Sequence, residues 1–396
     1  MRWVPFLLAA FAFASGCGAD SAGRTDAGSD AGNEDAGGDA GSDGGSDAGA
    51  DGGTDGGVLT DAGLPTAPMA ILSQGVPTFS SGNENSSTGP AKANDTDPST
   101  TWNSDKMPAW IAADLSGAPA AARQTVLVAW YGPRTLDYIN ASPPAASAQL
   151  PIDYTVEINT AAGGTAAPTT GWTVVATVTA NTRSSRQHLV ALNGGNWVRL
   201  NITKGSDPHV NLDLDVHDAR SGPTDSWLFM GDSITFISLP RYKSDLPARV
   251  HTAKPAYYPA VINAAIGGTN TTTAALVIDD TMSQFPGKFV TLNYGTNDHV
   301  ADFNAEALVL KVLAAGKVPV IPHMPWSDQR LVEGPQINAK IDALYAKYPQ
   351  IVRGPDLWEA FKNRTDLIPA SDIHPNDAGQ LELRKQWAAA MAAIYQ

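Results

Sequence analysis

Between residues 125 and 217 the apolar positions come in short runs: TVLVAWY (125–131), DYTVEIN (153–159), WTVVATVTA (172–180), HLVAL (188–192), NWVRLNIT (196–203) and VNLDLDVH (210–217). Clusters of Gly, Pro, Asn and Ser separate them, and the last run alternates apolar and polar residues as a half-buried strand does. No helical period intervenes. The spacing predicts an all-β sandwich over residues 64–220.

After Pro223 the texture changes. Apolar runs at 226–230 (SWLFM), 260–266 (AVINAAI), 288–294 (KFVTLNY), 317–322 (KVPVIP) and 351–354 (IVRG) alternate with helical patterns at 304–316, 337–348 and 376–395. Alternating strand and helix predicts an α/β domain over 224–396, with a parallel sheet covered by helices on both faces. Ligands in such folds sit beyond the carboxyl ends of the strands.

The chain opens on Arg2 and an apolar stretch from Trp3 to Ala14, followed by small residues up to Cys17. This pattern predicts a secretory signal over residues 1–17 rather than a spanning helix of the mature protein. From Asp35 onward a four-residue repeat (DAGG, DAGS, DGGS, DAGA, DGGT, DGGV) supplies almost nothing for a core. Residues 18–63 are therefore expected to be a disordered, extended spacer. A calcium loop would alternate its oxygen ligands, which a period of four does not do.

The formal net charge of −14 sits mostly in this spacer: eleven acids against Arg24 fall between Asp20 and Asp61. The remainder is close to neutral and offers no basic face, so nucleic acid is not an expected partner. Cys17 is the only cysteine, so no internal disulfide forms. Its setting, Ala14-Ser15-Gly16-Cys17, resembles the lipobox of bacterial lipoproteins. That resemblance implies lipidation of Cys17 and, with Gly18 following, an outer-membrane lipoprotein of the cell envelope held to the membrane only by its lipid. A tethered monomer is the simplest expectation.

Candidate chemistry gathers at the strand ends. Gly231-Asp232-Ser233 follows the first run of the α/β domain, where glycine permits a tight turn and Ser233 stands at a helix N-terminus. Ser is also a common helix cap, so one such serine decides nothing. Asn263-Ala-Ala-Ile-Gly267-Gly268 follows the second run, and Asn293-Tyr-Gly-Thr-Asn297-Asp298 the third. An amide side chain such as Asn297 can donate to a developing oxyanion. Ser371-Asp372-Ile373-His374-Pro375 precedes the last helix.

Together, GDSIT, the glycine after the second strand, GTND and the terminal His-Pro resemble the four blocks of the SGNH, or GDSL-type, hydrolase superfamily across residues 226–396. The resemblance implies a flavodoxin-like three-layer fold, Ser233 as nucleophile and His374 as its general base. It also implies an oxyanion hole made by the Ser233 amide, the Gly268 amide and the Asn297 side chain, with no cofactor required. One departure stands out. The superfamily places its acid three residues before the histidine, where this chain has Ser371; Asp372 is two before. Either Asp372 reaches His374, or a backbone carbonyl or Ser371 orients the ring in a Ser–His dyad. His323 and Trp326 are candidates to line the acyl or leaving-group side, with packing as the alternative for both.

In the front domain AKANDTDPSTTWNS (91–104), PAWIAADL (108–115) and WVRL (197–200) resemble discoidin, or coagulation-factor type C, domains. That resemblance implies a galactose-binding-like jelly roll of the kind found in carbohydrate-binding modules, with Asp95 and Asp97 as candidates for a structural calcium. A spacer or a lid over the active site is the alternative role. The pairing of modules leads to a serine esterase removing acyl groups, acetyl above all, from a polysaccharide or a small ester. A lipase or lysophospholipase, a glycan O-acyltransferase and an inactive carbohydrate-binding lipoprotein are the competing readings. A lipase would need a long apolar groove, and TNTTTAAL after Gly268, read as a loop, is polar and small.

Overall fold

The computed structural model describes residues 68–95, 97, 99–133, 149–239 and 245–395. The signal, the lipidation expected at Cys17 and the spacer 18–63 lie outside these residues. Contacts divide the chain into two units, Met1–Gly56 and Gly57–Gln396, and everything described falls in the second.

The front half carries β1 (Thr78–Ser80), β2 (Trp102–Asn103), β3 (Ala109–Asp114), β4 (Thr125–Tyr131), β5 (Pro151–Asn159), β6 (Thr173–Val178), β7 (Ser185–Ala191), β8 (Trp197–Gly205) and β9 (Asn211–Asp218). They form two antiparallel sheets, ordered β1-β3-β8-β5-β6 and β2-β9-β4-β7. Inward residues of both, among them Trp102, Trp130, Ile111, Val156, Leu200 and Leu214, close one core. Burying such side chains contributes about 1.5–3 kcal/mol each. Trp102 is wholly buried and its Nε1 donates to the Gly82 carbonyl at 2.9 Å, so it serves packing.

The back half carries β10 (Ser226–Gly231), α1 (Ser233–Ser238), α2 (Leu246–Ala253), β11 (Ala260–Asn263), α3 (Thr271–Ser283), β12 (Phe289–Asn293), α4 (Ala305–Ala314), β13 (Val318–His323), α5 (Glu333–Lys347), β14 (Val352–Asp356), α6 (Leu357–Phe361) and α7 (Asp377–Ile394). The sheet is parallel and ordered β11-β10-β12-β13-β14, the doubly wound order of flavodoxin-type folds. Successive residues of β10 feed opposite cores. Trp227 and Phe229 pack with α2 and α7, whereas Leu228 and Met230 pack with α3, α4 and α5. That alternation makes three layers. No helix among the described residues is long and apolar enough to cross a membrane.

Three helices among the described residues went unread in the sequence: α2, α3 and the short α6. TNTTTAAL opens α3 rather than forming a loop. Asn270 caps it, accepting from the Thr273 amide at 2.9 Å while the Thr273 hydroxyl accepts from the Asn270 amide at 3.0 Å. This reciprocal cap overrides the low helix propensity of three consecutive threonines. α2 begins with Pro247 in its first turn, a position where the missing N–H is harmless.

The two halves meet through a buried seam. Gln187 on β7 accepts from the Ser226 hydroxyl and donates to the Ala260 carbonyl at 3.2 Å. Arg183 reaches Asp280 at 2.7 Å near the end of α3, and Met69, Leu127, Ala219 and Ala260 form a small shared apolar cluster. Ser226 and Ala260 are the first residues of their strands. The sandwich thus docks at the amino ends of β10 and β11, opposite the carboxyl ends where the candidate site lies. Among the described residues this placement is not that of a lid.

Candidate active site

β10 ends at Gly231, where a side chain would run into Thr235 and come within 2.9 Å of the Asn293 carbonyl. Only glycine lets the chain turn there. Asp232, not Ser233, is the cap of α1: its carboxylate accepts from the Ile234 amide at 3.0 Å. The serine is left in the first turn with its hydroxyl free for another partner. That partner is His374, whose Nε2 lies 2.8 Å from Ser233 Oγ. The ring's other nitrogen, Nδ1, lies 2.8 Å from Asp372 Oδ1. A carboxylate can only accept, so Nδ1 carries the proton and Nε2 is left to accept from the serine.

The histidine loop is held by its backbone. Asp372 Oδ1 accepts from the amides of Ile373 and His374 at 2.7 and 3.0 Å, while the Asp372 amide donates to the Pro369 carbonyl at 2.9 Å. Those amide bonds hold the Asp372 carboxyl below its ordinary range, the His374 amide most of all. Asn376 then caps α7, accepting from the Gly379 amide at 3.0 Å. Asp372 and His374 remain open to solvent, with 49% and 38% of their side chains exposed, so water screens the pair.

The loop bearing Gly267 and Gly268 is fastened beside the serine. The Ile266 amide donates to the Gly231 carbonyl at 2.9 Å, and the Thr269 hydroxyl reaches the Ile266 carbonyl at 2.7 Å. A Cβ on Gly267 would lie 3.8 Å from that of Ser233. Gly268 has φ +76° with open space around it, so backbone conformation, not crowding, calls for glycine.

Asn297 donates from Nδ2 to the Thr269 carbonyl at 3.1 Å, which joins the third loop to the second. Its neighbour Asp298 strengthens that joint: Oδ1 accepts from the Thr271 amide at 3.0 Å and from the Thr271 hydroxyl. The residues carrying Gly268 and Asn297 are therefore tied to each other by side chains of both loops. Asp298 is buried, and burial pushes its carboxyl up. Asp232 is raised to about 7, chiefly by burial, with the nearby Asp298 charge adding to it. Nothing in the local sequence marks Asp298 for this role, because its acceptor bonds run to a residue 27 positions away.

The remaining candidates fall elsewhere. His323 stands between two carboxylates, 3.1 Å from Asp342 and 3.2 Å from Asp356. It borders, with Asp232, Thr235 and Tyr294, a cavity of about 20 Å3, room for a water rather than an acyl group. Trp326 is 6% exposed and packs in the apolar cluster with Trp227 and Leu357. Burial gives it the packing role. Asp95 accepts from the Thr100 hydroxyl at 2.9 Å and from Lys92 Nζ at 3.2 Å, while Asp97 accepts from the Ser99 amide at 2.9 Å. A calcium site gathers six to eight oxygens and tolerates no ammonium among them. The carboxylates as arranged do not fit the ion, and among the described residues no three acidic, His or Cys side chains converge to hold a metal.

A serine, an imidazole and a carboxylate in hydrogen-bonded series beside loops that present amide donors can perform acyl transfer. The family model described as GDSL-like Lipase/Acylhydrolase matches residues 229–381. Residues 229–381 form a GDSL-like lipase/acylhydrolase domain. It spans the strand ends bearing Ser233, Gly268 and Asn297 and the loop before α7 that bears His374. No curated protein matches the chain. Among solved structures, an acetylxylan esterase from Geobacillus stearothermophilus is similar, with 17% identity, a TM-score of 0.36, and coverage of 43% of this chain and 95% of that one. A putative GDSL-like lipase from Parabacteroides merdae shows 17% identity and a TM-score of 0.36, covering 42% and 94%. A chitosan-binding module of a chitosanase/glucanase from Paenibacillus sp. IK-5 shows 20% identity and a TM-score of 0.28, covering 37% of this chain and 98% of that one.

Proposed function

We propose that the GDSL-like domain is a serine esterase that removes short acyl groups, acetyl above all, from a polysaccharide, and that Cys17 anchors the chain to the cell envelope by its lipid. The observation that carries the catalytic reading is the continuous series Ser233 Oγ, His374 Nε2, His374 Nδ1, Asp372 Oδ1, with 2.8 Å at each junction. His374 takes the serine proton through Nε2 as Ser233 Oγ bonds to the ester carbonyl carbon. The carbonyl oxygen becomes an oxyanion, stabilised by the Ser233 and Gly268 amides and by Asn297 Nδ2. Collapse breaks the bond to the leaving alcohol, which receives the proton from His374. Water then repeats the sequence on the acyl-serine. Asp372 keeps the imidazole in the required tautomer and stabilises its protonated form.

The polysaccharide part of the reading draws on the sandwich joined to the esterase and on the polar opening of α3 beside Gly268. The deciding experiment is acyl release by the intact chain and by Ser233→Ala, from nitrophenyl acetate, longer nitrophenyl esters and acetylated xylan. Hydrolysis confined to short acyl groups and abolished in the variant supports the esterase, and turnover of xylan supports the polymer. Activity retained in Ser233→Ala would sink the mechanism. Incorporation of labelled fatty acid that disappears in Cys17→Ser tests the anchor.

A further inference from the structure

The outward face of the five-stranded sandwich sheet carries a group of side chains that the core does not need. Trp110 on β3 and Trp172, just before β6, flank Arg199 on β8, whose guanidinium carbon lies 5.9 and 4.1 Å from their ring centres. Glu157 on β5 fixes the arginine, accepting from its Nε at 2.6 Å and from Nη2. Its other oxygen accepts from the Thr155 hydroxyl at 2.7 Å and Asn201 Nδ2 at 3.1 Å. Glu157 is 5% exposed. A buried carboxylate with every acceptor in use makes a rigid floor.

Above that floor, polar groups are left over. Among the described residues, Arg199 Nη1, Asn201 Oδ1 and Trp110 Nε1 make no hydrogen bond. Both indoles are half-buried rather than sunk into the sandwich. Half-exposed indoles beside fixed, unspent donors and an acceptor match the two surfaces of a pyranose ring, its C–H face and its hydroxyl edge. The charge of Arg199 is matched by Glu157, so the ledge carries no net charge and suits a neutral ligand.

The geometry points to a binding site for a neutral hexosyl or pentosyl polysaccharide on the ledge formed by Trp110, Trp172, Arg199 and Asn201. Its position argues for a polymer. The sandwich docks at the amino end of β10, and the strand's five steps to Gly231 alone span about 16 Å. A ligand held on the ledge gains reach to Ser233 only if it is long. The choice of a glycan rests on the proposed polysaccharide esterase; the ledge itself does not depend on catalysis.

The test is affinity electrophoresis of the full chain in gels containing acetylated xylan, deacetylated xylan or glucomannan, with chitosan and polygalacturonate as charged comparators. Neutral glycan should retard the wild type, and Trp110→Ala and Trp172→Ala should each weaken binding by about tenfold or more, as loss of an aromatic anchor does. Hydrolysis of nitrophenyl acetate should stay unchanged in both variants. Should an alanine variant fail to fold, Trp110→Phe and the change in tryptophan fluorescence on adding glycan to the wild type decide instead. No retardation by any neutral glycan, retardation by the charged polymers alone, or unaltered binding in the variants overturns the site. Absence of ester hydrolysis with binding intact would overturn the esterase and leave the ledge standing.

Discussion

Asp372 Oδ1 meets His374 Nδ1 at 2.8 Å although a single residue separates them. The contact is made by folding the loop tightly on itself, with the same oxygen accepting the amides of Ile373 and His374. Asp372 therefore does two things, orienting the imidazole and shaping the loop that carries it. In a buried triad, neutralising the acid lowers kcat by about 10⁴. Here the carboxylate is half in water, and solvent partly replaces it. Asp372→Ala should lower kcat by about 10–100-fold, with Asp372→Asn close to it because both lose the charge. An unchanged kcat in both variants, measured on nitrophenyl acetate, would show that the serine and histidine act as a dyad.

Asp298 touches neither Ser233 nor His374, yet it ties the Thr271 end of the glycine loop to the Asn297 loop. Removing its acceptor leaves the buried Thr271 amide and the Thr271 hydroxyl proton without an acceptor and frees two oxyanion donors to drift. Loss of one such donor lowers kcat by about 10²–10³, and displacement costs less than loss. Asp298→Ala should lower kcat by about 10–100-fold with KM nearly unchanged, whereas Asp298→Asn, which keeps an oxygen for Thr271, should retain most activity. A change confined to KM would mean that Asp298 shapes substrate binding instead.

Gly268 gives a cleaner probe of the same loop. Its φ of +76° disfavours any L side chain, but a Cβ there would touch nothing. Gly268→Ala should therefore reduce stability by about 1–2 kcal/mol through backbone strain alone, if the loop keeps its shape. If the loop relaxes instead, stability is spared and kcat falls. Denaturant unfolding and kcat measured on one preparation separate the two, and no change in either would remove the left-handed turn from the account.

Much of this was legible in the sequence because it is local. The runs at 226–230, 288–294 and 317–322 became β10, β12 and β13, since a strand buried on both faces must be apolar throughout. The pattern at 376–395 became α7 behind its Asn376 cap. What stayed hidden depends on pairing across the chain. Nothing near Ser233 reveals that Asp232 takes the capping position, because Ser and Asp compete for it on nearly equal terms. Nothing near Gln187 announces Ala260, 73 residues on, so the end of the sheet on which the sandwich docks could not be read. At Trp326 burial decides for the packing alternative, since a strand-end position does not guarantee that a side chain faces the cleft.

The seam at the amino end of β10 sets a pH dependence of stability. Asp225 is fully buried, and burial pushes its carboxyl up to about 7, with hydrogen bonds from Tyr395 and Trp227 opposing the rise. In the unfolded chain an aspartate titrates near ~3.9. Between those values the native state keeps a proton that the unfolded state has released. Stability therefore falls as pH rises from about 4 toward 7, and the loss is complete above the folded value. Asp225→Asn never ionises and still offers an oxygen to Trp227 Nε1, which donates to Asp225 Oδ1 at 3.1 Å. Its Tm should drop less than the wild type's between pH 5 and pH 8. Asp232, also raised to about 7, titrates in both proteins, so the difference between their curves isolates Asp225. Parallel Tm curves across that range would show that Asp225 is ionised in the folded chain and that Tyr395 and Trp227 hold it as a carboxylate.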